Sequence, residues 1–167
     1  MSSRPKIGVT LGDPAGIGPE VFAKALPEAL ERCDIVVFGT AWALELGAQA
    51  ASVAIDDSAF ELVDIGTTCP DDFDYGVVSA ACGETAVVAV ETAARAALAG
   101  EIDAMMTCPL NQEAIHAAGY DDIGHQEILA RLAGVEATAP LLMTPGLKVV
   151  HLSTHKSLID AARYVTR

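Results

Sequence analysis

The chain has 167 residues, 51% of them hydrophobic and 20% charged, which is enough for one buried core and too few for two ordinary domains. Its formal net charge is -13 and no basic stripe interrupts the acidity, so nucleic-acid binding and attachment to anionic membranes are not expected. No cleavable leader is visible, and no apolar run approaches the roughly 20 residues of a membrane helix, so a cytoplasmic protein is expected. Cys33, Cys69, Cys82 and Cys108 are scattered without a CxxC pair and are expected to be buried free thiols.

Ile7, Val9 and Leu11 are β-formers at alternate positions and predict a first strand, which Gly12, Asp13 and Pro14 stop. Pro19 suits the first position of a helix, with Gly18 before it and Glu20 in the first turn, so a helix is expected from Pro19 to Leu30. A strand, a glycine loop and a helix start bring unpaired N–H groups and a positive dipole end together, which suits an anion such as phosphate. Equally, Gly12, Gly16 and Gly18 serve a tight crossover; their spacing is neither GxGxxG nor a Walker loop, and spacing alone favours the crossover.

Downstream, Ile35 to Phe38 is a continuous apolar run closed by Gly39, the pattern of a strand buried on both faces. Ala41 to Leu46 predicts a short helix ending at Gly47, Ser52 to Ile55 and Phe60 to Ile65 predict short strands, and Thr67 to Tyr75 predicts an exposed loop. Gly83 to Ala99 is alanine-rich with apolar residues at helical spacing and Gly100 as its stop. Ile102 to Thr107 reads as a strand, after which Pro109 opens and Gly119 closes a helix. A short helix over Ile128 to Leu132 ends at Gly134, Leu141 to Met143 and Val149 to Leu152 are strands, and Lys156 to Val165 is a last helix. The alternation predicts an α/β fold, an open and mostly parallel sheet with helices on both faces. Ligands in such sheets gather at the carboxyl ends of the strands, so Gly12 to Gly18, Thr107 to Gln112 and Ser153 to His155 are expected to converge there.

His125 in YDDIGHQEILA precedes a helix start expected near Glu127, where an imidazole can donate to phosphate. His155 ends VVHLSTHK, at the end of a predicted strand; no second ligand stands near it at metal-like spacing. His151 and His116 are read as structural, His151 buried among apolar neighbours.

The string GDPAGIGPE resembles the N-terminal signature of the 4-hydroxythreonine-4-phosphate dehydrogenase family, the PdxA-type enzymes of pyridoxal phosphate biosynthesis and their phospho-sugar-acid relatives. GHQE resembles the family's Gly-His-Thr-Glu, whose His and following residue contact substrate; this carries over to His125 and Gln126, with an amide where the family has a hydroxyl. STHK resembles Thr-Thr-His, whose His is one of three binding a divalent cation between two subunits, and carries over to His155. IDAMMTCPLNQ resembles the stretch ending at Thr-x-Pro, with Thr107, Pro109 and Asn111 matching and Gln112 where many members have Lys. Gly12, Asp13, Thr107 and Asn111 are accordingly candidate cleft-lining residues.

The resemblance implies an isocitrate/isopropylmalate dehydrogenase-like fold, of which residues 1–167 would be the N-terminal portion. It also implies NAD or NADP, a divalent cation (Zn, Mg or Co), a phosphorylated small-molecule substrate and a homodimer. The implied reaction is oxidation, with decarboxylation, of 4-phosphohydroxy-L-threonine. The alternatives are a 4-phospho-D-threonate or erythronate substrate, which Gln112 and Gln126 make plausible, or a non-catalytic binding module. The family's further metal motifs, Asn-Pro-His-Ala-Gly-Glu and His-Asp-Gln-Gly, do not occur in the chain. Since one histidine does not build a cation site, turnover by this chain alone is not expected.

Overall fold

The computed structural model describes residues 4–122, 124–136, 138–153 and 156–165. The chain forms two compact units, Met1–Gly134 and Val135–Arg167.

In the first unit, β1 (Lys6–Thr10), β2 (Asp34–Gly39), β3 (Glu61–Asp64) and β4 (Ala104–Thr107) form a parallel sheet in the order β3-β2-β1-β4. The helices are α1 (Gly18–Leu30), α2 (Ala41–Ala51), α3 (Ala80–Ala99), α4 (Gln112–Ala117) and α5 (His125–Ala133). The continuous apolar run of β2 is divided by the pleat. Ile35 and Val37 pack with Phe22 and Leu26 of α1 and Ala43 and Leu44 of α2, whereas Val36 and Phe38 pack with Ala93 and Ala96 of α3. The sheet is thus covered on both faces, as the apolar run predicts. A third cluster joins Val87 and Val90 of α3 to Ile115 of α4 and Ile128 of α5.

Several element boundaries differ from expectation for identifiable reasons. Gly47 does not end α2; the helix runs to Ala51 and Ser52 takes the left-handed cap at φ 56. A Cβ built on Gly47 would stand 2.5 Å from both C and Cβ of Pro19, so glycine here lets α2 approach α1 closely. Gly83 is likewise internal to α3, where a Cβ would meet the Ala114 carbonyl oxygen at 2.1 Å. Ser52 to Ile55 forms no strand; a 3-10 turn at Asp57–Ala59 intervenes, with the Asp56 side chain accepting from Ser58 N. Residues 67–75 form a loop, pinned by Trp42 Nε1 donating to the Thr67 carbonyl at 2.9 Å and by Phe73 packing edge-on to Trp42 and Tyr75.

The second unit is a β-hairpin, β5 (Leu141–Thr144) antiparallel to β6 (Leu147–Val150), followed by α6 (Leu158–Tyr164). Gly146, at φ 82, makes its turn. All eight hairpin strand residues are exposed, Met143 at 66% and Val150 at 61%. His151 is exposed rather than buried, because its apolar neighbours Val149, Val150 and Leu152 are themselves exposed and form no core around it. His116 is exposed on the last turn of α4. Of the four thiols, Cys82 and Cys108 are buried, whereas Cys69 is exposed in its loop and Cys33 half-buried, contrary to the expectation for all four. No helix among the described residues is long and apolar enough to cross a membrane.

Gly47→Ala tests the α1–α2 contact. Helix propensity alone would favour alanine by about 1 kcal/mol. The contact with Pro19 is to backbone and a rigid ring, so the expected net result is a loss of about 1–3 kcal/mol in urea denaturation.

Candidate functional site

The site is built where β1 and β4 end. Cys108 N donates to the Thr10 carbonyl at 3.0 Å, carrying the ladder one residue past β4, and Asp13 N donates to the Pro109 carbonyl at 2.9 Å. The glycine loop is thereby laid on the β4 exit. A Cβ on Gly12, whose φ is 73, would fall 2.1 Å from the Pro109 oxygen; one on Gly18 would fall 2.1 Å from the Leu11 oxygen and 3.0 Å from Cys108 Cβ. The space beside these glycines is filled from within by protein backbone.

The loop's donors are used in the same way. Asp13 N goes to Pro109, Ala15 N to Asp13 Oδ1 at 2.9 Å, and Gly16 N to the Asp13 carbonyl at 3.0 Å. Of the two readings open in the sequence, the geometry is that of the tight crossover rather than an anion cradle. An open apolar cleft of about 480 Å³ lies beside the outer part of the loop, lined by Ile17, Pro19, Ala50 and Tyr75 among others. None of the candidate polar residues lines it.

Asp13 is 4% exposed, and burial, opposed more weakly by the Ala15 amide, pushes its carboxyl above the ordinary 3.8. Burial raises Cys108 to about 11, so it is a packed thiol rather than a nucleophile. Cys82 is also raised, chiefly by burial.

His125 is the first residue of α5, two positions earlier than the predicted helix start. Its Nε2 is buried with no hydrogen-bond partner among the described residues. Burial lowers its basicity, opposed more weakly by the Cys108 backbone. The helix carrying it is held by Arg131, which reaches Glu91 of α3 at 2.9 Å and Asp122 of the preceding loop at 2.7 Å.

Five of the expected residues, Gly12, Asp13, Thr107, Asn111 and His125, belong to this constellation of strand exits and helix starts. Asn111 serves the fold, since its Oδ1 accepts from Glu113 N at 2.9 Å and Ala114 N at 3.2 Å and caps α4, which begins at Gln112 rather than at Pro109. Thr107 is half-buried in register with Thr10, Gln126 is half-buried on α5, and Gln112 is exposed. His155 lies outside the described residues. Among those described, no three His, Cys, Asp or Glu side chains are grouped to hold a metal ion. The described residues therefore do not fit the implied divalent cation, and no chemical step is assigned through it.

Thr10 is a residue that the sequence alone does not single out. It is fully buried, and its Oγ1 is the other buried side-chain atom without a partner among the described residues. The signal that marks it is a hydroxyl at the last position of β1, after Ile7, Gly8 and Val9, beside a second threonine once β1 and β4 are aligned.

Asn111→Ala is expected to cost about 1 kcal/mol in denaturant stability through loss of the cap, with Asn111→Asp retaining it. For Asp13 the sign follows from its raised pKa: the folded state holds the proton more tightly, so stability falls as pH rises from 3.8 through the folded value. Asp13→Asn keeps an oxygen for Ala15 N and removes that slope. Its urea midpoint should exceed that of the parent at neutral pH, with the gap closing below pH 3.8.

Comparison with known proteins agrees with this architecture. Residues 28–167 match the family model described as pyridoxal phosphate biosynthetic protein PdxA. The chain is 36% identical to D-threonate 4-phosphate dehydrogenase of Cupriavidus necator, over 96% of this chain and 53% of that protein. It is 34% identical to 4-hydroxythreonine-4-phosphate dehydrogenase of Geobacter metallireducens, over 99% and 53%. The crystal structure of a 4-hydroxythreonine-4-phosphate dehydrogenase from Burkholderia phymatum superposes with a TM-score of 0.83 at 37% identity, covering 97% of this chain and 53% of that one. A terephthalate 1,2-cis-dihydrodiol dehydrogenase from Burkholderia xenovorans superposes at 0.71 and 33% identity, over 95% and 51%. The chain spans about half the length of the curated relatives it matches. With a parallel sheet covered on both faces, a glycine loop seated on the β4 exit and a match over residues 28–167, this chain belongs to the PdxA family of dehydrogenases.

Proposed function

We propose that this chain is the N-terminal portion of an oxidoreductase that removes hydride from a secondary alcohol of a small 4-phosphorylated hydroxy acid, with NAD or NADP as acceptor. The observation that carries the reading is the buried, partnerless Nε2 of His125 at the carboxyl end of the sheet, in a chain of this dehydrogenase family. A neutral imidazole there offers a substrate oxygen a hydrogen bond, and Gln126, next on the same helix start, adds an amide able to donate and accept. His155 is proposed as a ligand of a divalent cation, Zn, Mg or Co. Other ligands and most cofactor contacts would come from outside these residues, as would the partner subunit of a homodimer.

Two substrates fit this chemistry. For 4-phosphohydroxy-L-threonine, the compound in the name of the Geobacter relative, the product would be a β-keto acid that loses carbon dioxide. 4-Phospho-D-threonate, the compound in the name of the Cupriavidus relative, replaces the ammonium with a hydroxyl. Gln126, and Gln112 at a position where a Lys would hold charge, favour the second: both supply neutral amides, which suit a hydroxyl-rich acid. An active site placed at the two strand exits is also consistent with a role in binding without turnover by this chain alone.

The test is NAD(P) reduction by the protein expressed from its whole gene, with a divalent cation and each substrate in turn. Turnover with a higher kcat/KM for the threonate phosphate is the expected result; a folded protein inactive on both would refute the reading. His125→Asn should lower kcat/KM roughly 10–100-fold, corresponding to about 1.5–3 kcal/mol for a hydrogen bond to a charged group.

A further inference from the structure

Arg131 closes over the start of α5. One of its nitrogens, Nη2, lies 2.9 Å from Glu91 Oε1 on α3 and 2.7 Å from Asp122 Oδ2, which precedes the helix. Helical side chains lean towards the N-terminus, so an arginine in the last turn of α5 reaches back to the segment before it. The side chains of Glu91 and Asp122 are only 21% and 14% exposed, and Glu91 Oε2 also holds Arg95 at 3.0 Å. This is a half-buried network rather than a lone surface pair.

His125, Ile128 and Arg131 follow one another at helical spacing along one side of α5. Ile128 is buried against Val87 and Val90 of α3, and Arg131 meets Glu91, the next residue of that helix. An apolar contact is non-directional and leaves a short helix free to roll about its axis; the Arg131 bridge adds a second, directional point of attachment. The roll of α5 decides which way its first residues face. We propose that Arg131, held between Glu91 and Asp122, is a positioning residue that sets the roll of α5 and thereby keeps the His125 imidazole turned into its buried seat, with Gln126 beside it. Because one nitrogen serves both carboxylates, a lysine ammonium, a point charge with three donors, can replace it. The consequence for turnover rests on the dehydrogenase reading; the positioning itself needs no substrate.

The experiment follows the His125 ring by NMR in the full chain labelled with 13C at histidine Cε1, the signal being assigned through His125→Gln. Burial holds its titration below the ordinary 6.5 in the parent. Arg131→Gln should free the helix start, hydrate the ring and move the midpoint up towards 6.5. Asp122→Ala should move it the same way, and Arg131→Lys should keep the parent value. Charge effects alone predict otherwise, since losing a cation raises a histidine's midpoint and losing an anion lowers it. An unmoved midpoint in folded Arg131→Gln, opposite shifts in Arg131→Gln and Asp122→Ala, or an Arg131→Lys that behaves as Arg131→Gln does, overturns the proposal. Should the variants not fold, by circular dichroism, the parent decides: a guanidinium held in this way rotates slowly and gives separate 15Nη signals for Arg131, whereas one averaged signal refutes the clamp. Since no substrate is present, failure here leaves the dehydrogenase reading to its own assay.

Discussion

The candidate site depends on one close backbone approach, that of Gly12 to the Pro109 carbonyl. Any side chain at position 12 would put a Cβ 2.1 Å from that oxygen, in a backbone conformation that L-residues rarely adopt. With glycine there, Asp13 N reaches Pro109, Cys108 N reaches Thr10, and the exits of β1 and β4 are locked side by side. The Cys108 peptide is thereby held beside the end of β1. The GDPAGIG string is therefore better understood as a joint between two strand exits than as a phosphate loop.

Burial without opposing charge sets the chemistry at this joint. Asp13, Cys82 and Cys108 are all pushed towards their neutral forms, and so is His125. In a chain of net charge -13 this limits repulsion: the acidic residues are mainly outside, and the strand exits carry groups that exchange hydrogen bonds rather than charge.

The two units contrast in how they satisfy their apolar residues. The first divides β2 between two helical layers and holds three apolar clusters. The second presents leucine, methionine and valine on both faces of a short hairpin, all exposed. A two-stranded hairpin is marginal by itself in water. The relatives that match it are about twice as long.

The sequence by itself determined the class of fold, because strand and helix periods are local: the β2 run, the alanine-rich α3 and the glycine stops at Gly100 and Gly134 all lie where periodicity and capping rules place them. It also marked His125, Asp13 and Asn111 as residues of interest through the family strings. Only the tertiary structure decided how they are buried and bonded. Gly47 looked like a helix stop, yet it and Gly83 serve helix–helix contacts between residues far apart in the chain. Asn111, marked by the family string, is also the cap of α4, because Pro109 is engaged by the glycine loop and α4 starts later. Thr10 draws no attention in the sequence because a threonine in a strand is ordinary; its isolation as a buried hydroxyl exists only once α3 covers the sheet and the Cys108 peptide crosses to it. Local propensity is written residue by residue, whereas close approach and the loss of water depend on which distant segments meet.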